Sequence, residues 1–269
     1  TMPEALQRKH NTKVGTWGKI TVLKGQLRFI ELTEEGEEIA SHLFEAGAEN
    51  PMAEPQAWHR VEAATDDVEW YLEFYCEPKD YFPKKYNTNP VHSEVLEAVG
   101  IVPAGKALDL GCGQGRNALF LAQQGFDVTA VDQNELALEI LQSIVEQEDL
   151  EMTVGLYDIN SAALTQTYDL IVSTVVLMFL QADRIPAIIQ NMQDQTNPGG
   201  YNLIVCAMDT EDYPCKVPFS FTFKEGELAD YYKDWELIKY NENPGHLHRR
   251  DEEGNRIALR FATMLAKKK

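Results

Sequence analysis

The stretch ALDLGCGQGRNALFLAQQGFDVTAVD, residues 107–132, constrains the fold of this chain more than any other part of it. A short apolar strand leads into a glycine-rich turn and a helix, and a second strand ends in Asp132. Such a unit is typical of a parallel, doubly wound sheet, in which backbone N–H groups and a helix N-terminus converge on a ligand. The stretch therefore predicts an adenine-bearing ligand at the carboxyl edge of a sheet.

The sequence around this stretch extends the same pattern. Strands alternate with helices, as in α/β proteins with a parallel sheet. Two further strand-like runs near the end, WELIKYNE and IALRFATML, have no helix between them and are expected to pair as an antiparallel hairpin. The strands are predicted at 106–110, 127–132, 152–157, 169–175 and 201–207, and the helices near 115–124, 134–148 and 182–195. Residues 78–269 are thus expected to form an α/β domain, doubly wound and Rossmann-like, with a C-terminal antiparallel hairpin.

The front of the chain has a different pattern. Two apolar runs flank Lys24-Gly25 and suggest a hairpin, EEGEE suggests another turn, and VEWYLEFYC (68–76) alternates cleanly between its two faces. The segment CEPKDYFPKKYN (76–87), with its prolines and charges, reads as a linker. Residues 1–77 are therefore predicted to form a small all-β, cupin-like sandwich or barrel.

Composition narrows the class of partner. The net charge of −19 disfavours a nucleic acid and an anionic membrane surface. No apolar run approaches the roughly 20 residues that a membrane span requires. The four cysteines show no CxxC spacing, which favours reduced thiols and a cytoplasmic protein. Because the sequence starts at Thr1 and not at Met, it can be a fragment of a longer chain.

The spacing in the glycine turn separates two kinds of ligand. Gly111, Gly113 and Gly115 form G-x-G-x-G, whereas the dinucleotide fingerprint G-x-G-x-x-G needs its third glycine at the position of Arg116. The glycine turn therefore matches the dinucleotide fingerprint only imperfectly, which disfavours a dehydrogenase with a nicotinamide dinucleotide as ligand.

Acidic residues at three strand ends favour a cationic ligand instead. Asp109 precedes the first glycine, where a carboxylate suits a cation better than a pyrophosphate. Asp132 is placed to accept from both ribose hydroxyls. Asp158 can accept from an adenine amino group while Ile159 covers the ring. Together these features favour an adenosyl sulfonium, although each acid alone could be an ordinary turn residue or helix cap.

At this point the sequence resembles a known family. LDLGCGQGRN, the strand-end Asp132, YDI and YDLIVSTVVLMFL are similar to class I S-adenosylmethionine-dependent methyltransferases. More narrowly, NPGGYNLIVCAMDTEDYPC, FKEGEL and GNRIALRFATMLAKKK look like the tellurite-resistance methyltransferases (TehB), and residues 1–76 resemble the cupin-like, TehB/YeaR-type domain that precedes some of them. The resemblance implies S-adenosylmethionine as cofactor and S-adenosylhomocysteine as product. The expected donor site comprises Asp109, Gly111, Cys112, Gly113, Gly115, Arg116, Asn117, Asp132, Gln133, Asp158, Ile159, Ser173 and Thr174.

The resemblance also implies an acceptor site. The segment PGHLHRRDEEGNR is basic within an acidic chain, and a His-Arg pair with a later Arg matches His248, Arg249 and Arg256. The resemblance implies that these residues form the catalytic site at which a small oxyanion, tellurite or selenite, is bound and receives the methyl group. His246 and Arg250 depart from the family pattern. Tyr86 and His92 are candidate substrate or cap residues beside the entrance.

Several alternatives remain open from the sequence alone. The acceptor could be another small molecule such as a thiol, and the chain could be a ligand sensor that merely holds the cofactor. The front domain has only three histidines (10, 42 and 59) and no H-x-H, so no metal is expected. A homodimer is possible through the tyrosines of the front domain.

Overall fold

The chain forms two compact units, Thr1–Tyr81 and Phe82–Lys269. The computed structural model describes residues 2–250 and 252–269, and of His248 and Arg249 it describes the backbone only. Each unit buries an apolar core of its own.

The first unit is built from five strands that form two antiparallel sheets, in the orders β1–β5 and β3–β2–β4. One short helix, α1, covers Glu4–Gln7. The strands are β1 Trp17–Lys24, β2 Gln26–Leu32, β3 Glu38–Glu45, β4 His59–Ala63 and β5 Glu69–Tyr75. The prediction of a small all-β fold is confirmed.

Both sheets bury apolar side chains in one core, to which β1 contributes Ile20 and Val22 and β2 contributes Leu27 and Phe29. The predicted hairpin around Lys24-Gly25 is wrong, because β1 and β2 lie in different sheets. Gly25 has a φ of +71°, so the chain turns a corner there instead of folding back on itself. The turn at EEGEE, by contrast, does join paired strands, β2 and β3.

Strand β5 follows its predicted alternation only in part. Val68, Trp70 and Leu72 pack against the core, but Phe74 is 64% exposed. An alternating pattern identifies the two faces of a strand, but it does not show how far along the strand one face is covered.

The second unit contains one seven-stranded sheet in the order β11–β12–β10–β9–β6–β7–β8. Its strands are β6 Lys106–Leu110, β7 Asp127–Asp132, β8 Met152–Leu156, β9 Tyr168–Thr174, β10 Thr196–Ala207, β11 Glu236–Arg250 and β12 Arg256–Lys267. The helices are α2 Tyr81–Tyr86, α3 Ser93–Ala98, α4 Arg116–Gln123, α5 Glu135–Gln147, α6 Ile185–Asp194 and α7 Glu227–Tyr231. Strands β6 to β10 pair in parallel, while β12 is antiparallel to both of its neighbours. The doubly wound sheet with a terminal antiparallel hairpin is confirmed.

The order of the strands fixes the position of a ligand site. From β6 the chain runs outward through β7 to β8, and it then returns to β9 on the other side of β6. At such a reversal the connections diverge to opposite faces, which opens a crevice beyond the carboxyl ends of β6 and β9.

The terminal hairpin is longer than the sequence pattern predicts. PGHLHRR lies beyond the predicted strand-like run WELIKYNE, yet β11 continues through Pro244 to Arg250, and Arg250 pairs with Arg256. The register shifts between His246 and Arg250, as at a β-bulge. Polar side chains give this segment no apolar alternation, so its strand structure depends on backbone pairing with β12.

Within the described residues, none of the helices is both long enough and apolar enough to cross a membrane.

Candidate active site

A cavity of about 890 Å³ opens at the crevice between β6 and β9. The glycine turn and the start of α4 form one wall, and the segment before α3 forms another. The end of β9 with the segment after it, the hairpin β11–β12, and residues of β10 and of the segment that follows β10 complete the described lining. The cavity therefore lies where the strand order places a ligand site.

The three glycines of the turn have different roles. All three have positive φ, of 85°, 53° and 82° in chain order. A Cβ on Gly111 would lie 2.6 Å from Val176, and one on Gly115 would lie 2.3 Å from Leu141. A Cβ on Gly113 would meet no heavy atom within 4 Å, and Gly113 lines the cavity. The outer glycines permit close packing of the turn, whereas the central one leaves room for a ligand to approach the backbone.

Asp132, at the end of β7, holds this turn in place. Its Oδ2 accepts from the Gly113 backbone N–H at 2.8 Å, and its Oδ1 accepts from the Asn134 N–H at 2.9 Å. Each carboxylate oxygen keeps a further lone pair, and the side chain is half-exposed. Asp132 therefore lies beside the turn with capacity left for ribose hydroxyls.

Asp109 is buried behind the turn, with only 2% of its surface exposed. Its Oδ2 accepts from the Ala118 N–H at 3.1 Å. Burial raises the pKa of this carboxyl to about 7, against the opposing effects of the Ala118 hydrogen bond and the charge of Arg116. The described lining of the cavity includes Arg116 but not Asp109, so Asp109 lies behind the turn and outside that lining.

Six of the remaining predicted donor residues divide into two groups. Cys112, Asn117 and Thr174 line the cavity with the turn, and burial raises the pKa of the Cys112 thiol, which keeps it neutral. Three others follow β7 and β8 further along the sheet edge, outside the described cavity lining; they are the exposed Gln133 and Asp158 and the buried Ile159.

Ser173 is fully buried and does not line the cavity. Its hydroxyl is one of two buried side-chain polar groups without a hydrogen-bond partner in the described part of the chain, the other being Thr88.

The predicted acceptor residues are only partly described. His248 and Arg249 lie on β11, but their side chains are outside the described residues. Arg256 begins β12, where its exposed side chain donates from Nε to the Leu247 carbonyl at 3.1 Å. The described lining does not include Arg256, although it does include His246, one of the departures from the family pattern.

The two candidates at the entrance are placed differently. His92 lines the cavity and caps α3, where its Nδ1 accepts from the Glu94 N–H at 3.2 Å. The Tyr86 hydroxyl instead donates to Glu148, beyond the end of α5, and that hydrogen bond raises the pKa of Tyr86. The structure therefore brings His92 to the cavity and leaves Tyr86 outside its described lining.

Sequence reasoning missed the wall that the hairpin provides. Lys239, Asn241 and Asn243 alternate along β11 and line the cavity, and Thr263 and Phe261 lie opposite the two asparagines on β12. A period of two over residues 239–243 was the available signal, since alternate residues of a strand share one face.

Lys239 does not present a free charge to the cavity. Its Nζ donates to Glu94 Oε2 at 2.6 Å and to Glu97 Oε2 at 2.5 Å. The ammonium group is thus committed to two carboxylates on α3.

The first unit contains a pair of histidines but no described metal centre. The His10 and His59 rings have centroids 4.3 Å apart, and the Nδ1 of each contacts a backbone carbonyl. Among the described residues there is no group of three or more His, Cys, Asp or Glu side chains that could hold a metal ion.

The strand order, the glycine turn and the acids at successive strand ends together define a class I S-adenosylmethionine-dependent methyltransferase. Comparison with known proteins narrows this class. Residues 74–265 match the family model described as "Tellurite resistance protein TehB", and residues 1–72 match the "TehB-like domain". The chain belongs to the TehB family.

Individual relatives agree with this assignment. A Haemophilus influenzae protein named "Probable S-adenosyl-L-methionine-dependent methyltransferase TehB" is 59% identical over 100% of this chain and 94% of its own length. The crystal structure of TehB from Haemophilus influenzae aligns with a TM-score of 0.95 at 58% identity, over 100% of this chain and 94% of that one. A protein of Eikenella corrodens named "Hemagglutinin 1" is 52% identical over 88% of this chain and 79% of its own length. S-adenosylmethionine as the cofactor is confirmed.

Proposed function

We propose that this methyltransferase methylates tellurite, and also selenite, and that the volatile methylated products confer tellurite resistance in the cytoplasm. The observation that carries the proposal is the two-sided cavity, with a donor turn on one wall and a polar hairpin on the other. The match to the tellurite-resistance family model supports the choice of acceptor.

The donor half fits S-adenosylmethionine. The space in front of Gly113 admits a ligand against the backbone, and the carboxyl ends of β6, β7 and β8 follow one another along the sheet edge. An elongated donor would extend along this edge, with ribose at Asp132 and adenine near Asp158 and Ile159. Gln133, Arg116 and Thr174 would supply further contacts. When bound, the donor presents a methyl carbon on a cationic sulfur to in-line attack.

The protein's own contribution is positioning and exclusion of water. Asp109 would place negative charge behind the turn, while Phe179 and Phe219, in edge-to-face contact at 5.4 Å, would shield the cavity. We propose that Arg249 and Arg256 hold the oxyanion through paired donors and that His248 accepts or releases its proton.

The electron count requires one further reagent. Attack by the tellurium lone pair forms a Te–C bond while the C–S bond breaks toward sulfur, which raises the oxidation state of tellurium by two. A volatile telluride is therefore formed only if a reductant such as a thiol acts after each methylation, including the last. Any assay of the product has to contain one.

The test is tellurite-dependent release of S-adenosylhomocysteine by the full-length protein. His248→Ala and Arg256→Ala should each lower turnover at least about tenfold, since charged hydrogen bonds are worth about 1.5–3 kcal/mol. His42→Ala and Arg8→Ala, at exposed positions of the first unit, serve as matched controls and should turn over like wild type. Wild-type rates in both hairpin variants would exclude the proposed acceptor site.

A second candidate function is methylation of another small acceptor, such as a thiol. The aromatic side chains of the cavity favour it, because Phe179, Phe219 and Phe261 suit an acceptor with an apolar part better than a trioxyanion. Release of S-adenosylhomocysteine with a thiol but not with tellurite would favour this candidate. Donor binding without turnover on any acceptor would point to a sensor.

A further inference from the structure

Asn117, the second residue of α4, is 3% exposed and joins three segments around the cavity. Its Oδ1 accepts from the His92 backbone N–H at 3.1 Å. Its Nδ2 donates to Thr174 Oγ1 at 2.9 Å. These contacts reach 25 residues back along the chain and 57 residues forward.

The orientation of this amide follows from its partners. A backbone N–H can only donate, so the amide oxygen has to face His92. The NH₂ group then faces Thr174, whose hydroxyl can accept. Each end of the buried side chain is therefore held by one hydrogen bond to the protein, which fixes the amide between the two segments; one Nδ2–H and one Oδ1 lone pair remain beyond these two bonds.

The segment that Asn117 holds is a wall of the cavity. His92, Ser93 and Glu94 line it, and His92 Nδ1 also caps α3. On the other side, Glu94 accepts from Lys239 of the hairpin. Asn117 thus connects this wall to α4 and β9, on the donor side of the cavity, and Lys239 connects it to the hairpin β11–β12, on the proposed acceptor side.

We propose that Asn117 is a positioning residue and not a ligand of the methyl donor. It sets the distance between the donor turn and the wall formed by His92, Ser93 and Glu94. Small displacements of reacting groups reduce rates strongly, on the order of a hundredfold for 1 Å. Loss of the tether should therefore impair use of the acceptor and leave donor affinity nearly intact. The inference rests on the proposed function only for the acceptor used in the rate assay.

The experiment compares Asn117→Ala with wild type in the full-length protein by three measurements. They are the Kd of S-adenosylhomocysteine by calorimetry, kcat and KM for the acceptor, and hydrogen exchange of the His92 amide. The matched control is Asn191→Ala, because Asn191 likewise bonds through its side chain to backbone, at Leu164, but on α6 outside the described cavity lining. Thr174→Val, alone and combined with Asn117→Ala, tests whether the two residues act as one unit.

We expect Asn117→Ala to lower kcat/KM at least about tenfold, to change the donor Kd less than about threefold, and to speed exchange of the His92 amide. With the donor at saturation, so that any donor contact of Thr174 drops out, the double variant should have the same kcat/KM for the acceptor as Asn117→Ala alone, since coupled residues are non-additive. Asn191→Ala should alter none of the three readings. A donor Kd weakened about tenfold or more with unchanged acceptor kinetics, or an unaltered His92 amide, would overturn the inference. Because affinity and exchange need no acceptor, failure of tellurite as a substrate leaves this test intact.

Discussion

Replacing Asp109 by Asn should stabilise the protein at neutral and alkaline pH while weakening its affinity for the sulfonium donor. The carboxyl is 2% exposed, and burial raises its pKa from 3.8 to about 7. That gap corresponds to at most about 4 kcal/mol at about 1.4 kcal/mol per pH unit. The Asn side chain keeps the shape and can still accept from the Ala118 N–H.

The direction of the pH dependence follows from proton counts. Between pH 3.8 and about 7 the folded state binds the Asp109 proton and the unfolded state does not. The contribution of Asp109 to stability therefore falls as pH rises through this window, and it stays unfavourable above it. The Asp109→Asn variant lacks this titration, so its advantage should be absent below pH 3.8 and largest above about pH 7.

Folding favours the protonated form of Asp109, whereas donor binding should favour its ionised form. A cationic sulfonium favours the ionised carboxylate, so binding of S-adenosylmethionine near pH 7 should release a proton. S-adenosylhomocysteine lacks the sulfonium charge and should release fewer protons. In Asp109→Asn, affinity for S-adenosylmethionine should fall about tenfold more than affinity for S-adenosylhomocysteine, which corresponds to about 1.4 kcal/mol.

The assays are denaturant unfolding between pH 5 and 9 and calorimetry with both ligands in buffers of different ionisation enthalpy. Wild-type protein provides the reference for both. If Asp109→Asn were less stable than wild type at pH 8, or if the two ligands lost affinity equally, the assignment of Asp109 as a buried counter-charge would be refuted.

The other predictions concern the turn, the entrance wall and the first unit. Gly113→Asn should abolish donor binding but leave a folded protein, because Asn tolerates the φ of +53° and its side chain enters ligand space. Gly115→Ala should instead unfold the turn against Leu141, and calorimetry and thermal melts distinguish the two variants. Lys239→Met should leave donor affinity unchanged and raise the acceptor KM, as steady-state kinetics would show, since it releases Glu94 from the hairpin; a weakened donor Kd would contradict this. Burial lowers the pKa of His59 below 6.5, so the contribution of His59 to stability is complete above pH 6.5 and is lost as pH falls. His59→Gln should therefore make the free energy of unfolding depend less on pH on the acid side. An unchanged pH dependence would contradict this role of His59.

The parts of the fold that could be predicted depend on local patterns. The strand–turn–helix run from β6 to β7 carries its own periodicity and glycines, so its bounds agree closely with the structure. The pairing around Gly25 is not local, because β1 pairs with β5 and β2 pairs with β3 and β4, and the hairpin prediction failed there.

The site shows the same division. The acids at strand ends could be found because chain order places them on one edge of a parallel sheet. The hairpin wall was missed because Asn241 and Asn243 have no apolar alternation and gain their places through pairing with β12. The contacts of Asn117 join residues far apart in the chain, and no local pattern indicates them.

The most direct test of tellurite methylation uses S-adenosylmethionine with a deuterated methyl group, together with purified protein, tellurite and a thiol reductant. Mass spectrometry of the headspace gas should show methylated tellurium that carries the deuterated methyl, formed in proportion to S-adenosylhomocysteine, and the signal should be lost in Gly113→Asn. Donor binding without labelled tellurium product, under conditions where the protein methylates another acceptor, would contradict tellurite methylation as the function.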